Sequence, residues 1–147
     1  MAKKRVIIIA NRQKPQACQV GRQLQEWLCS KVEIIVDNLN NELELHKIPS
    51  ADFMVILGGD GTILSTIRAL GTVQVPIIGV NMGKLGFLAE FSVEQFQEQF
   101  DNLLAHPRPF TRRLMLKCHI TGPERADFTS PIVNEIAVTA GPPFRMI

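Results

Sequence analysis

The chain has 147 residues, 46% of them hydrophobic, and a formal net charge of +2 at pH 7. This length suits one domain or slightly more, and the apolar content can build a core, which excludes a disordered tail. The charges are interspersed and the chain has no tyrosine, which predicts no nucleic-acid partner. Three cysteines without CxxC spacing predict a cytoplasmic protein. No apolar run approaches the ~20 residues of a membrane span, so no membrane partner is expected.

Strands and helices alternate along the first two thirds of the chain. Continuous apolar runs typical of buried strands occur at 6–10 and 53–57. Further strands are indicated at 32–36 and 75–80. Apolar residues recur at helical spacing in three sets: Val20, Leu24, Trp27 and Leu28; Ile63, Ile67 and Leu70 within 62–70; and Phe96, Phe100, Leu103 and Leu104. The alternation predicts an α/β fold, with a mostly parallel, Rossmann-like sheet and flanking helices.

The start of the third helix has a specific local signal. Ser92 can cap it, Gln95 three residues later can complete a capping box, and Phe91 can pack against Phe96. By contrast, the polar stretch from 37 to 52 indicates a loop before the strand at 53–57.

The pattern changes after a proline-broken linker at 105–110. The stretches 112–120 and 131–139 indicate strands, and no helical period accompanies them. We therefore expect an α/β domain over residues 1–108 and the first strands of an incomplete, β-rich second domain over residues 109–147. No terminal helix or charged tail precedes the final Ile147, so the pattern favours a fragment of a longer protein.

The sequence Gly58-Gly59-Asp60-Gly61-Thr62 joins a predicted buried strand to a predicted helix. In open α/β sheets ligands bind beyond the carboxyl ends of the strands. Glycines let a phosphate approach the backbone, and the N-terminus of the next helix offers N–H groups and partial positive charge. This loop is therefore predicted to bind phosphate.

Asp60 needs a separate explanation, because a carboxylate repels phosphate. It fits a site that also holds a metal ion or accepts a proton from an attacking hydroxyl, as in phosphoryl transfer. The alternative is that Asp60 only caps the following helix. The chain has neither GxxxxGK[ST] nor GxGxxG, which argues against a P-loop NTPase and a dinucleotide-binding Rossmann domain.

A second glycine-bearing loop follows the strand at 75–80. It contains Asn81, Gly83, Lys84 and Gly86 and lies at the same edge of the predicted sheet. Phe87, with the leucine after it, could give the loop an apolar wall. Taken alone, this loop is equally consistent with a turn that has a hydrophobic anchor.

Together these motifs resemble a known family. "GGDGT" at 58–62, "GVNMGKLGFLAEF" at 79–91 and "VNEIAV" at 133–138 are similar, in this order, to the ATP- or polyphosphate-dependent NAD kinases. Diacylglycerol and sphingosine kinases share the first motif, and 6-phosphofructokinases have a close variant of it. The resemblance implies phosphorylation of the adenosine ribose 2′-hydroxyl of NAD, which yields NADP.

The resemblance also implies roles for individual residues. Asp60 matches the proton acceptor, Phe87 matches a residue near the adenine, and Asn134 with Glu135 matches the pair that hydrogen-bonds the dinucleotide. Arg145 falls at a further NAD-contacting position by spacing alone. The nucleotide-binding residues expected in this way are Gly58, Gly59, Asp60, Gly61, Thr62, Phe87, Asn134, Glu135 and Arg145.

The family further implies NAD and ATP as substrates, a divalent cation, Mg²⁺, that arrives with ATP, and a homodimer or homotetramer. No His, Cys and Asp cluster with ligand spacing marks a tight metal site. The family's Gly-Ser/Thr-Ala-Tyr segment is missing, so we expect this chain alone to be weak or inactive. Two alternatives stay open: a lipid or sugar kinase that shares the glycine loop, and a non-catalytic nucleotide-binding module that does not need Asp60.

Overall fold

The computed structural model describes residues 2–40, 43–83, 86–105, 110–122, 126–133 and 135–137. Contacts divide the chain into two compact units, Met1–Phe110 and Thr111–Ile147. The elements in chain order are β1 (Arg5–Ala10), α1 (Pro15–Cys29), β2 (Glu33–Asp37), β3 (Phe53–Leu57), α2 (Asp60–Leu70), β4 (Ile77–Asn81), β5 (Phe91–Ser92), α3 (Val93–Ala105), β6 (Met115–Ile120) and β7 (Phe128–Val133).

The first unit is built on a parallel sheet. Its strand order is β2-β1-β3-β4-β5, and every neighbouring pair is parallel. The central pair places Ile7 beside Met54 and Ile8 beside Val55. The prediction of a parallel α/β sheet with flanking helices is therefore confirmed.

The helices cover both faces of this sheet, which explains the continuous apolar runs of its strands. Val6 and Ile8 belong to the apolar cluster that contains the buried residues of α1 and α3. Ile7 and Ile9 belong to the opposite cluster, with Ile63 of α2. Since successive strand residues point to opposite faces, a strand covered on both sides needs an apolar residue at every position.

The capping box predicted for α3 is present. The Gln95 backbone N–H donates to Ser92 Oγ at 3.2 Å, and the Ser92 backbone N–H donates to Gln95 Oε1 at 2.9 Å. Phe91 packs against the cluster that contains Phe96. Phe91 and Ser92 also form β5, paired with Val80 and Asn81, a short strand that the sequence pattern did not predict.

Several elements differ in their bounds from the predictions, among them β2, which covers 33–37 rather than 32–36, and β6, which covers 115–120 rather than 112–120. Helix α2 begins at Asp60, two residues before the predicted start. Strand β4 covers 77–81 rather than 75–80, and a 3-10 turn at Leu45–Lys47 interrupts the segment predicted as loop. Such ends are decided by hydrogen bonds to neighbouring elements, which periodicity does not encode.

The second unit contains an antiparallel pair of strands. Strand β6 pairs with β7, with Met115 opposite Val133 and Ile120 opposite Phe128. The prediction of strands after residue 112 is confirmed, although β7 lies at 128–133 rather than 131–139. In the part of the chain that the structure describes, no helix has the length and apolar character needed to cross a membrane.

Asp52, just before β3, gives the first unit a pH-dependent contact. Its Oδ2 accepts the Arg5 backbone N–H at 2.8 Å and its Oδ1 accepts Lys4 Nζ at 2.9 Å. The Arg5 N–H, followed by the Lys4 ammonium, lowers the pKa of Asp52 below its ordinary value of 3.8. This stabilisation is present above the unfolded-state pKa, and it is lost as the pH falls through the lower folded-state pKa.

Asp52→Asn is expected to lower the free energy of unfolding at about pH 7 by less than about 1 kcal/mol, because the contact is exposed and screened by solvent. The difference from wild type should shrink toward zero as the pH falls through the lowered folded-state pKa, because the carboxylate is then protonated in both states. Urea unfolding over a series of acidic pH values measures this change. A difference that does not depend on pH would contradict the assignment to the Asp52 charge.

Candidate active site

The parallel sheet places the carboxyl ends of its strands at one edge. The chain leaves β1 for β2 on one side and later returns to β3 on the other side. The loops after β1 and β3 therefore diverge at a topological switch point, where open α/β sheets bind ligands. The loop after β4 lies at the same edge, next to the loop after β3.

The glycine loop after β3 packs tightly at one point and is open at two others. Gly58 has a φ of 157°, and a Cβ added there would lie 2.7 Å from Thr62 Cβ, so a side chain does not fit. Gly59 is the N-cap of α2. A Cβ added at Gly59 or at Gly61 would meet no heavy atom within 4 Å. This leaves room for a ligand beside the helix N-terminus.

Asp60 is the first residue of α2, and its carboxylate contacts the loop after β4. Its Oδ2 accepts the Phe87 backbone N–H at 2.8 Å, and its Oδ1 accepts those of Leu88 and Ala89 at 3.0 and 3.2 Å. We call these three N–H groups the amide clamp. The alternative that Asp60 only caps its helix is wrong, because Gly59 holds the N-cap position and no side-chain cap bond forms there.

The amide clamp resolves the difficulty of an acid beside a phosphate-binding loop. Three N–H dipoles point at the carboxylate of Asp60, and hydrogen bonds to an ionised acceptor are among the stronger ones in proteins. An acid in the first turn of a helix also interacts favourably with the helix dipole. The negative charge of Asp60 is thus partly compensated by the backbone before any ligand arrives.

Phe87 lies in the loop after β4, in an unusual setting for a phenyl ring. Its backbone is bonded to Asp60, yet the residue is 92% exposed. Burying a phenylalanine side chain is worth about 1.5–3 kcal/mol, so the exposed ring of a residue whose backbone contacts Asp60 is an apolar surface suited to a flat ligand. In the same loop Asn81 is 8% exposed, and its Oδ1 accepts the Gly83 N–H at 3.0 Å.

The residues predicted from the third motif and beyond it, Asn134, Glu135 and Arg145, belong to the second unit. Glu135 is exposed two residues after β7, and its backbone N–H donates to Val133 O at 3.0 Å. Asn134 and Arg145 lie outside the described residues, as does Lys84 in the loop after β4. Within the first unit, the structure therefore brings Asp60 and Phe87 together.

Sequence reasoning missed a depression at the same edge of the sheet. An open pocket of about 400 Å³ is lined by Arg12, Gln13, Asn38 and Leu43. The Asn38 side chain holds the end of β1, because its Oδ1 accepts the Ala10 N–H at 2.7 Å and its Nδ2 donates to Ala10 O at 2.9 Å. Its position directly after β2 was the available signal. Among the described residues, no group of three or more His, Cys, Asp or Glu could hold a metal ion.

The fold and this edge define an open α/β domain of the class that binds ligands beyond the carboxyl ends of its strands. Residues 37–108 match the family described as the ATP-NAD kinase N-terminal domain. The chain therefore contains the N-terminal domain of the NAD kinase family. The resemblance inferred from the motifs is confirmed.

Individual relatives extend the match beyond this segment. The chain is 32% identical to an NAD kinase of Heliobacterium modesticaldum over 95% of its length, and 40% identical to one of Clostridium botulinum (strain Kyoto / Type A2) over 77%. It covers only 53% and 40% of those two proteins, or about half their length. A crystal structure of yeast NADH kinase complexed with NADH has a similar fold, with a TM-score of 0.70, 21% identity, and coverage of 89% of this chain and 47% of that one.

Proposed function

We propose that this chain is the phosphate-binding part of an NAD kinase, which transfers the γ-phosphoryl group of ATP to the 2′-hydroxyl of the adenosine ribose of NAD. The observation that carries the proposal is the carboxylate of Asp60, held by backbone amides at the start of α2 beside two open glycines. Membership of the family supports the choice of NAD as acceptor.

The proposed reaction assigns one bond-making step to the site. Asp60 accepts the proton of the ribose 2′-hydroxyl as that oxygen attacks the γ-phosphorus. A new O–P bond forms, the bond from the γ-phosphorus to the β–γ bridging oxygen breaks, and ADP leaves with the electron pair. Most of the rate enhancement comes from positioning and charge neutralisation, since phosphoryl transfer requires little covalent chemistry from the protein.

The remaining residues take binding roles in this proposal. Gly58, Gly59, Gly61 and Thr62 surround the phosphate chain with backbone at the N-terminus of α2. Phe87 offers its exposed ring to the adenine. Asn134, Glu135 and Arg145, which match family positions, contact the dinucleotide. The divalent cation, Mg²⁺ by preference, enters as part of the MgATP substrate and neutralises charge on its oxygens.

Four further properties are predictions here and do not bear on the reaction at Asp60. Assembly as a homodimer or homotetramer and use of polyphosphate as an alternative donor come from the family resemblance. The cytoplasmic location comes from the composition, and the division into an α/β domain at 1–108 and a β-rich domain from 109 comes from the sequence pattern.

A competition assay tests the acceptor. The chain is incubated with MgATP and NAD⁺, diacylglycerol or fructose 6-phosphate, and each phosphorylated product is measured. Because the relatives are about twice as long, a chain extended past Ile147 is assayed in parallel. NADP⁺ should be the product that accumulates. Phosphorylation of the lipid or the sugar with NAD⁺ untouched would overturn the proposal in favour of the alternative kinases.

A further inference from the structure

Gly86, the residue just before the amide clamp, lies against the carboxylate of Asp60. A Cβ built on Gly86 would lie 2.6 Å from both Cγ and Oδ2 of Asp60 and closer still to Oδ1. Real Cβ atoms essentially never approach heavy atoms within 3.0 Å. Any side chain at position 86 must therefore displace either the carboxylate or the loop.

The observation at Gly86 is steric. The space that a Cβ at this position would need is occupied by the carboxylate of Asp60.

The amide clamp itself cannot move aside easily, because it lies against the sheet. Ala89 is fully buried. A Cβ on Gly79 of β4 would lie 2.9 Å from Ala89 Cα and 3.0 Å from Leu88 O. The segment 88–89 thus packs directly on the backbone of β4, and the core fixes where its N–H groups point.

We propose that Gly86 is a positioning residue for Asp60. The absence of a Cβ at Gly86 lets the carboxylate enter the amide clamp, and the clamp, fixed on β4, sets the direction in which Asp60 meets its substrate. The catalytic consequence rests on the proposed kinase function, whereas the geometric claim does not. The base is then oriented by backbone N–H groups, which cannot rotate as a side-chain partner would.

Amide hydrogen exchange measured by NMR tests the geometric claim. In Gly86→Ala, exchange at the Phe87, Leu88 and Ala89 amides should accelerate by about tenfold or more, since charge-assisted hydrogen bonds are lost. Gly83→Ala in the same loop is the matched control, because its Cβ would meet only Asn81 Oδ1 at 3.9 Å. Unchanged protection of the three amides in Gly86→Ala would overturn the proposal.

A double-substitution cycle keeps the test decisive if Gly86→Ala disturbs folding. Asp60→Ala alone should expose the same three amides. In that background Gly86→Ala should add less than about a twofold further change, because the carboxylate that it meets is gone. Additive effects of the two substitutions would mean that Gly86 acts independently of Asp60 and would overturn the proposal.

The catalytic consequence has its own readout. In an active chain, Gly86→Ala should lower kcat by about 10²-fold, toward the loss expected for removing the base itself, and should change the KM for ATP by less than about threefold. An unchanged kcat would overturn the positioning role. If a chain extended past Ile147 also phosphorylates no NAD, the proposed function fails, while the exchange experiment still decides the geometry.

Discussion

Asp60→Asn is expected to lower the rate of NADP⁺ formation by about 10²–10⁴-fold, because a positioned general base contributes a factor of this size. Asparagine has nearly the same shape as aspartate but accepts no proton at neutral pH. The affinity for NAD⁺ should change little, since the substitution leaves the glycines and Phe87 in place. Initial rates and calorimetric titration with NAD⁺ measure the two effects.

The amide clamp makes the control for this variant important. The NH₂ group of asparagine is a donor and would face N–H donors of the amide clamp, which could displace the loop. The effect of such a displacement on the rate has to be separated from the loss of the base. The control is Asp52→Asn, which removes a carboxylate just before β3, the strand that leads into the glycine loop. This variant should leave the rate within about twofold. Exchange at the Leu88 amide reports the loop directly. Full turnover in Asp60→Asn would rule out Asp60 as the proton acceptor.

Phe100→Ala is expected to lower the free energy of unfolding by about 3–5 kcal/mol, the range for removing a buried phenylalanine. Phe100 of α3 is fully buried. Its ring centroid lies 5.1 Å from that of Phe96, 5.3 Å from Trp27 on α1 and 6.3 Å from Phe53 on β3. The substitution therefore opens a cavity where two helices meet the sheet.

Urea unfolding followed by tryptophan fluorescence measures this loss. Trp27 is the single tryptophan of the sequence, and it touches the ring that is removed, so its signal reports on this cluster. The matched control is Phe110→Ala, a phenylalanine that is 59% exposed and should change stability by no more than about 0.5 kcal/mol. A loss below about 1 kcal/mol in Phe100→Ala would mean that the cluster does not support the core.

Local signals in the sequence were enough to predict most of the first unit. The apolar runs of β1 and β3 indicated strands covered on both faces, and α1 and α2 cover them. The box formed by Ser92 and Gln95 lies within four residues, so neighbouring side chains alone specify it. The glycine loop was located because its position between a buried strand and a helix is itself a local pattern.

The partner of Asp60 could not be predicted in the same way. Its three donors lie 27 to 29 residues further along the chain, and every residue except proline carries a backbone N–H. No side-chain type therefore marks the amide clamp. The predicted roles of Asn134 and Arg145 remain predictions, because those residues lie outside the described part of the chain.

The sequence by itself determined the parallel α/β class, the glycine loop and Asp60 as its acid, because periodicity, turn chemistry and residue type are local properties. Only the tertiary structure decided the strand order β2-β1-β3-β4-β5, the added strand β5 and the contact between Asp60 and the loop at Gly86. These features depend on which backbone groups meet across the fold. That is settled by the packing of β4 and α2, and no short stretch of sequence contains it.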